Sequence, residues 1–361
     1  MLGTPQKFLL RRLRRVDALV YGTPGYTQIS TLLSESGLSH NVIGITKTDF
    51  SFWAAIRASL RRWPIRIPTF RDYIEEVVRT SGPKFIITFV DNDTRIWEIA
   101  SSLKTPLIVI QNGIRGGPGD LDFSQNYPGK VDHFFCFNPA IGETFRQIVS
   151  IDQMHISGSL KNNAQPVRQQ NRSGIVWISQ FRSTDDLGQE LTSKWNNLEI
   201  KACGVLLRWA KKRGLTLEVL PRSTHHQEWN FFKERLPQEV GVINRESRSP
   251  YEIIDKFQLV ASFCSTLAHE AATRGASLFF FNFAVQNFDS SLRLGWPQPF
   301  DQDGPFWHCD ASEESLIHDK LEKLYFSDRS TFGEKYASEV AQLMAIDVGN
   351  ENLRSVLKSY K

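Results

Sequence analysis

Ser265-Thr266-Leu267-Ala268-His269-Glu270 brings two hydroxyls, an acid and the start of a helix into one short span. The residues before it, 259–264, are an apolar run without helical period, as in a buried strand. Ser265 and Thr266 are preferred helix N-cap types, and they stand where that run stops. Leu267, Ala268, Ala271 and Ala272 make a helical stripe, Gly275 sits where a C-terminal cap belongs, and 277–281 reads as a second buried strand. Strand, turn, helix and strand in this order imply a parallel sheet with a right-handed crossover. The first turn of such a helix offers unpaired backbone N–H groups at the positive end of its dipole, which suits a phosphate or pyrophosphate. Glu270, one turn on, is placed to accept hydrogen bonds from a ribose. The competing account is an ordinary capped helix with Glu270 on a solvated face.

Other chemistry-bearing residues also stand at strand ends. Asp91-Asn92-Asp93 follows the apolar run 85–90. It matches the DxD with which single-domain sugar transferases hold a divalent ion, but two similar α/β halves fit that fold poorly. The preferred reading is metal-free, with the carboxylates facing a cleft and one acting as base or nucleophile. Asp91 comes first, as the residue directly past the strand, because Asp93 or Thr94 can cap the next helix. In Gln111-Asn112-Gly113-Ile114-Arg115 the glycine permits a tight turn. The two amides can then reach substrate and Arg115 can clamp a carboxylate or phosphate; the alternative is a purely structural turn. Gln180, Arg182 and Arg222 occupy matching strand ends further along, where arginines suit phosphate neutralisation, or else surface ion pairs. None of the eight histidines has metal-ligand spacing. No GxSxG, Walker A or GxGxxG is present, which argues against a hydrolase elbow, a P-loop enzyme or a dinucleotide dehydrogenase.

The elements that must position these residues alternate between strand and helix throughout, which is α/β architecture. Strands are expected at 16–21, 41–45, 85–90, 106–110 and 133–137. After a polar stretch at 161–173 they resume at 174–179, 215–220, 241–244, 259–264 and 277–281. Helices are expected at 27–36, 95–103, 140–149, 198–213, 312–325 and 332–344, with basic, Trp-bearing helices over 50–80. The chain thus divides into a first Rossmann-like domain (1–165, acceptor side), a second (172–345, nucleotide side) and a tail (346–361) that packs back on the first. Ligands of open α/β sheets bind at the carboxyl ends of the strands, where the polar residues cluster.

Composition bounds the rest. The 361 residues suit two domains, and 41% hydrophobic with 23% charged residues is ordinary for a soluble protein. No apolar run is long enough to span a membrane, and the basic start lacks the core of a signal peptide. Four scattered cysteines without CxxC fit free thiols in a reducing cytoplasm. The net charge of +4 is mild. The excess gathers at Arg11–Arg15 and at Arg57, Arg61, Arg62, Arg66 and Arg71, interleaved with Phe52, Trp53 and Trp63. Such a patch suits an anionic membrane surface at the inner face of the plasma membrane; nucleic acid is the weaker alternative and a solvated helix face the plain one.

Taken together, Phe-Val-Asp-Asn-Asp (89–93), Val-Ile-Gln-Asn-Gly-Ile-Arg (109–115), His-Ile-Ser-Gly-Ser (155–159), Val-Trp-Ile-Ser-Gln-Phe-Arg (176–182), Ser-Thr-Leu-Ala-His-Glu-Ala-Ala-Thr-Arg-Gly (265–275), Leu-Gly-Trp-Pro (294–297) and Gly-Pro-Phe-Trp (304–307) resemble bacterial surface-carbohydrate biosynthesis proteins of O-antigen and capsule loci. The resemblance covers roughly residues 15–325. It implies a GT-B glycosyltransferase fold of two facing Rossmann-like domains around a cleft, with the donor nucleotide mainly on the second. The 265–270 segment is also similar to the donor segment of Kdo transferases, polysialyltransferases and teichoic-acid glycerophosphotransferases, several of which use CMP- or CDP-activated donors. That segment usually has an aromatic residue before the glutamate, where this chain has His269. Non-hydrolysing UDP-GlcNAc 2-epimerases share the fold but carry Ser-Gly-Gly where this chain has Ser265-Thr266, which favours transfer. The expected function is glycosyl transfer from a nucleotide sugar, the only co-substrate needed, to a glycan or lipid-linked acceptor. The alternatives are a polyol-phosphate transferase, a sugar epimerase, or a non-catalytic nucleotide- or sugar-binding subunit.

Overall fold

The computed structural model of the protein describes residues 7–9, 13–43, 49–61, 67–114, 121–167, 171–184, 188–222, 226–245, 248–283, 303–326 and 335–361. It forms two compact units. The first comprises Met1–Asn112, Asp122–Ala164 and Ala345–Lys361; the second comprises Gly113–Leu121 and Gln165–Met344. Gly113–Leu121, which the order along the chain assigns to the first half, groups with the second.

In the first unit β1 (Lys7–Leu9) pairs with β4 (Asp49–Ser51) in a small separate ribbon. The main sheet is all parallel, in the order β3-β2-β5-β6-β7-β8. Its strands are β2 (Ala18–Tyr21), β3 (His40–Ile43), β5 (Phe85–Thr88), β6 (Leu107–Ile110), β7 (Lys130–Cys136) and β8 (Ser150–Ile156). The helices between them are α1 (Tyr26–Glu35), α2 (Phe52–Leu60), α3 (Phe70–Ser81), α4 (Thr94–Leu103), α5 (Pro139–Ile148) and the short α6 (Leu160–Asn163). β2, β5 and β6 are buried along their whole length, as parallel strands covered on both faces must be, and they read as unbroken apolar runs. β8 is an edge strand with exposed Ser150, Asp152 and Gln153. It was not expected, because an edge strand lacks that apolar run.

The second unit repeats the plan in the order β11-β10-β9-β12-β13-β14, again all parallel. Here β9 is Ile175–Ile178, followed by α7 (Gln189–Arg213), β10 (Leu217–Leu220), α8 (His226–Arg235), β11 (Gly241–Val242) and α9 (Pro250–Ile254). Then come β12 (Leu259–Ser262), α10 (Thr266–Thr273), β13 (Ser277–Phe281), β14 (Trp307–His308), α11 (Glu314–Phe326) and α12 (Ala337–Leu343). α7 starts at Gln189, well before the expected 198, and Gly214 closes it in the left-handed conformation at φ 64°. The last helix, α13 (Glu351–Lys358), returns to the first unit, where Leu353, Val356 and Leu357 join the core around Ile29, Leu33 and Phe85.

The stretch 161–173, expected as a featureless linker, begins as structure. Ser159 caps α6, and the buried Asn163 amide donates to Ser157 O (2.7 Å) and Asn350 Oδ1 (3.1 Å). Among the early arginines, Arg57 and Arg61 face the buried Glu76 (3.8 and 2.7 Å), and Arg71 pairs with Glu75 and Glu98. Arg11, Arg12, Arg62, Trp63, Arg66, Arg115, His225 and the 294–297 motif lie outside the described residues.

Candidate functional site

In the second sheet the chain enters at β9, builds β10 and β11 to one side, and then crosses to the other side for β12, β13 and β14. The loops after β9 and β12 therefore diverge at a topological switch point, where open α/β sheets take their ligands. Gln180 leaves β9 and spans this point: its Oε1 accepts from Cys264 N (2.8 Å) and from Cys264 Sγ (3.2 Å). Ser262 Oγ donates to Ile178 O (3.0 Å) and accepts from Ser265 N (3.3 Å). The 263–265 turn is thus fixed by side chains from both strands.

Ser265 is the N-cap of α10, as its type predicts, but its hydroxyl makes no capping hydrogen bond. Thr266 Oγ1 accepts from Ile114 N (3.1 Å). The N-cap side chain thus contributes no hydrogen bond to the first turn of α10. His269 is buried against Phe280, ring centroids 4.8 Å apart. Burial pulls it down to about 4, against the opposing bond between Nδ1 and Ser265 O (2.9 Å), so it is neutral at physiological pH. Glu270 is buried too, which removes the solvated-face account.

Gln180 and Arg182 sit in a loop whose backbone is held by α7. Glu199, fully buried, accepts from Gln180 N (2.6 Å) and Trp177 Nε1 (3.0 Å). Burial pushes Glu199 up to about 7; the bonds from Trp177, Gln180 and Ser179 pull the other way, and nearby Glu228 adds to the rise. Arg222 is exposed one strand further out, its N–H donating to Glu228 (2.8 Å) and its carbonyl accepting from Arg245 (2.8 Å).

The first sheet has its own switch point, between β2 and β5. Asp91 lies just beyond β5, fully buried, with Oδ1 accepting from Asn112 N (3.2 Å). Asp93 is the N-cap of α4; it also accepts from Tyr21 Oη (2.7 Å) and Arg95 Nε (2.7 Å). Burial alone would raise Asp93, but the bonds and charge of Arg95 and the bond from Tyr21 hold it below the usual carboxylate range. Gln111 is fully buried, its Oε1 accepting from Phe137 N (2.9 Å), so this carboxamide oxygen ties β6 to the end of β7. Asn112 is half-buried beside Asp91.

The structure therefore gathers Gln180, Arg182, Ser265, Thr266 and Glu270 at one sheet edge, with Arg222 apart on the next strand. It gathers Asp91, Asp93, Gln111 and Asn112 at the other. Sequence reasoning missed Thr192, Trp195, Asn196 and Glu199, which support the 179–183 loop; their spacing was the available signal. Among the described residues, Asp303, His308 and Glu313 carry metal-ligand atoms within reach of one another. However, Asp303 faces His308 Nδ1 (3.2 Å) and Glu313 faces Nε2 (3.0 Å), on opposite ring edges, with Lys320 Nζ 3.0 Å from Nδ1. Each carboxylate thus stands against the imidazole itself.

A family model described as putative O-antigen biosynthesis protein matches residues 108–361. No curated protein sequence matches the chain. The S. aureus MnaA–UDP complex is similar over 95% of this chain and 96% of that one, at 11% identity and a TM-score of 0.58. The wall teichoic acid polymerase TagF soaked with CDPG is similar over 95% and 88%, at 12% identity and 0.56. The Methanocaldococcus jannaschii UDP-GlcNAc 2-epimerase in complex with UDP-GlcNAc and UDP is similar over 90% and 98%, at 11% and 0.52. At such identities the likeness establishes the fold, a two-domain α/β fold of the GT-B kind.

Proposed function

The chain belongs to the family of putative O-antigen biosynthesis proteins, and from that membership we propose that it is a glycosyltransferase using a nucleotide-sugar donor, CMP- and CDP-linked sugars among the candidates. The observation that carries this reading is the start of α10, without a side-chain cap at the β9/β12 switch point and braced by Gln180. Its N–H groups and dipole suit the donor phosphate, Arg182 offsets charge on the leaving group, and Glu270 takes the ribose. The similar structures solved with UDP, UDP-GlcNAc and CDPG support a nucleotide ligand for this fold.

For the acid–base step we assign Asp91, whose neighbour Asp93 is already engaged with α4, Tyr21 and Arg95. Arg115 and Asn112 are assigned to the acceptor or the sugar. The acceptor is a glycan or lipid-linked glycan, and α2 supplies a peripheral contact to an anionic membrane surface. It exposes Phe52 (48%) and Trp53 (46%), with Arg57 one turn further along the same helix. No described helix is long and apolar enough to cross a membrane.

The test is a thermal-shift screen against CMP, CDP, UDP, GDP and their sugars, followed by product analysis with a labelled donor. Stabilisation by one nucleotide and transfer of labelled sugar are expected. Isomerised sugar, or transfer of a polyol phosphate, would replace glycosyl transfer by the related chemistry. Binding without turnover would leave a binding subunit.

A further inference from the structure

Four buried polar or part-polar side chains of α7, Thr192, Trp195, Asn196 and Glu199, fall at the i, i+3, i+4, i+7 spacing of one helix face. Such a face ordinarily buries apolar residues; this one makes hydrogen bonds, and nearly all of them go to residues 180–183. Thr192 Oγ1 donates to Ser183 O (2.9 Å) and Trp195 Nε1 to Gln180 O (3.0 Å). Asn196 brackets Arg182, accepting from its N–H and donating to its carbonyl, both at 3.0 Å. Glu199 accepts from Gln180 N. The backbone from Gln180 to Ser183 is thereby pinned to a long helix rather than left as a free loop. The side chain that emerges is Arg182, its guanidinium 5.8 Å from the centroid of the Trp195 ring. Its buried Nε has no hydrogen-bond partner among the described residues. A buried guanidinium N–H without a partner is costly unless a ligand completes it.

We infer that this face of α7 is a positioning template, with Asn196 at its centre, that presents the Arg182 guanidinium to an anionic phosphate of the nucleotide. The inference rests on the nucleotide reading given above. A side chain held by packing and by hydrogen bonds behind it loses less freedom on binding than one on an unsupported loop. The template should therefore affect recognition of phosphate and leave recognition of the nucleoside unchanged.

The experiment titrates the full chain with CDP and UDP, and separately with cytidine and uridine, for wild type, Arg182→Ala, Asn196→Ala and the near-isosteric Thr192→Val. It also follows hydrogen exchange at the amides of residues 180–182. For whichever nucleotide binds, Arg182→Ala and Asn196→Ala should each weaken the diphosphate by about tenfold relative to its nucleoside. Asn196→Ala should also speed exchange at Arg182, and Thr192→Val should show a smaller loss of the same kind. Asn196→Ala and Thr192→Val with wild-type diphosphate preference would overturn the template while the nucleotide site stands. If Asn196→Ala does not fold, Thr192→Val decides alone. If the wild type binds no nucleotide, the site reading falls and the template falls with it.

Discussion

Replacing Glu199 by glutamine should flatten part of the protein's pH–stability profile. The carboxyl is fully buried and is pushed up to about 7 from an ordinary 4.5, chiefly by burial. Between those values the folded state holds a proton that the unfolded state has released. Stability from this group is therefore complete below about 4.5 and is lost as pH rises through about 7. The gap, at about 1.4 kcal/mol per pH unit, is roughly 3 kcal/mol. Glutamine cannot titrate. It also puts an amide NH₂ against either Trp177 Nε1 or Gln180 N, each of which needs an acceptor, and so costs about 1–3 kcal/mol at every pH. Urea unfolding of both proteins from pH 4.5 to 8.5 should show the wild type ahead by most at the acid end. Its lead should shrink by roughly 3 kcal/mol across the range. A difference between the two proteins that is the same at every pH would refute the reasoning, since Glu199 would then ionise as an ordinary carboxylate.

Four further outcomes are expected. Asp93→Ala removes the α4 cap and the partner of Tyr21 and Arg95, so urea unfolding should show about 1–3 kcal/mol lost; Asp91→Asn should instead keep stability and lose turnover, and near wild-type turnover would remove Asp91 from the chemistry. Glu270→Ala should weaken nucleotide binding by about 1–3 kcal/mol in calorimetry, and an unchanged affinity would end the ribose role. Flotation with anionic vesicles should capture the protein at low salt and release it at high salt, less so for Trp53→Ala; no binding at low salt would count against α2 as a membrane contact.

What could be read from sequence followed burial. Central strands such as Ile175–Ile178 and Leu259–Ser262 are covered on both faces and so stand out as apolar runs. Ser150–Ile156 lies at an edge with none of its residues fully buried and does not. The start of α7 was missed for a different reason. Thr192 and Asn196 look like loop residues until their partners in the 182–183 backbone are known. Polar residues at strand ends were visible as a class, but their uses were not. Gln111 and Gln180 have the same type and setting. The oxygen of one binds Phe137 N across a strand pair, and that of the other holds Cys264, 84 residues away. The N-cap position of Ser265 was legible, but the absence of a capping bond to its hydroxyl was not.

The return of the last helix to the first unit has a consequence for synthesis. The Asn163–Asn350 bond joins residues 187 apart, and Lys84 reaches Tyr360 O across 276. At ordinary translation rates of about 5–20 residues per second, the ribosome needs roughly 10–40 s to advance the 187 positions from one asparagine to the other. During that interval the second unit can close on its own sequence, while Ile29, Leu33 and Phe85 wait without the Leu353, Val356 and Leu357 that cover them. The nascent chain thus carries an unfinished apolar face on its older half. Completion of that half waits for α13, so the unit begun first closes only after the second has been made.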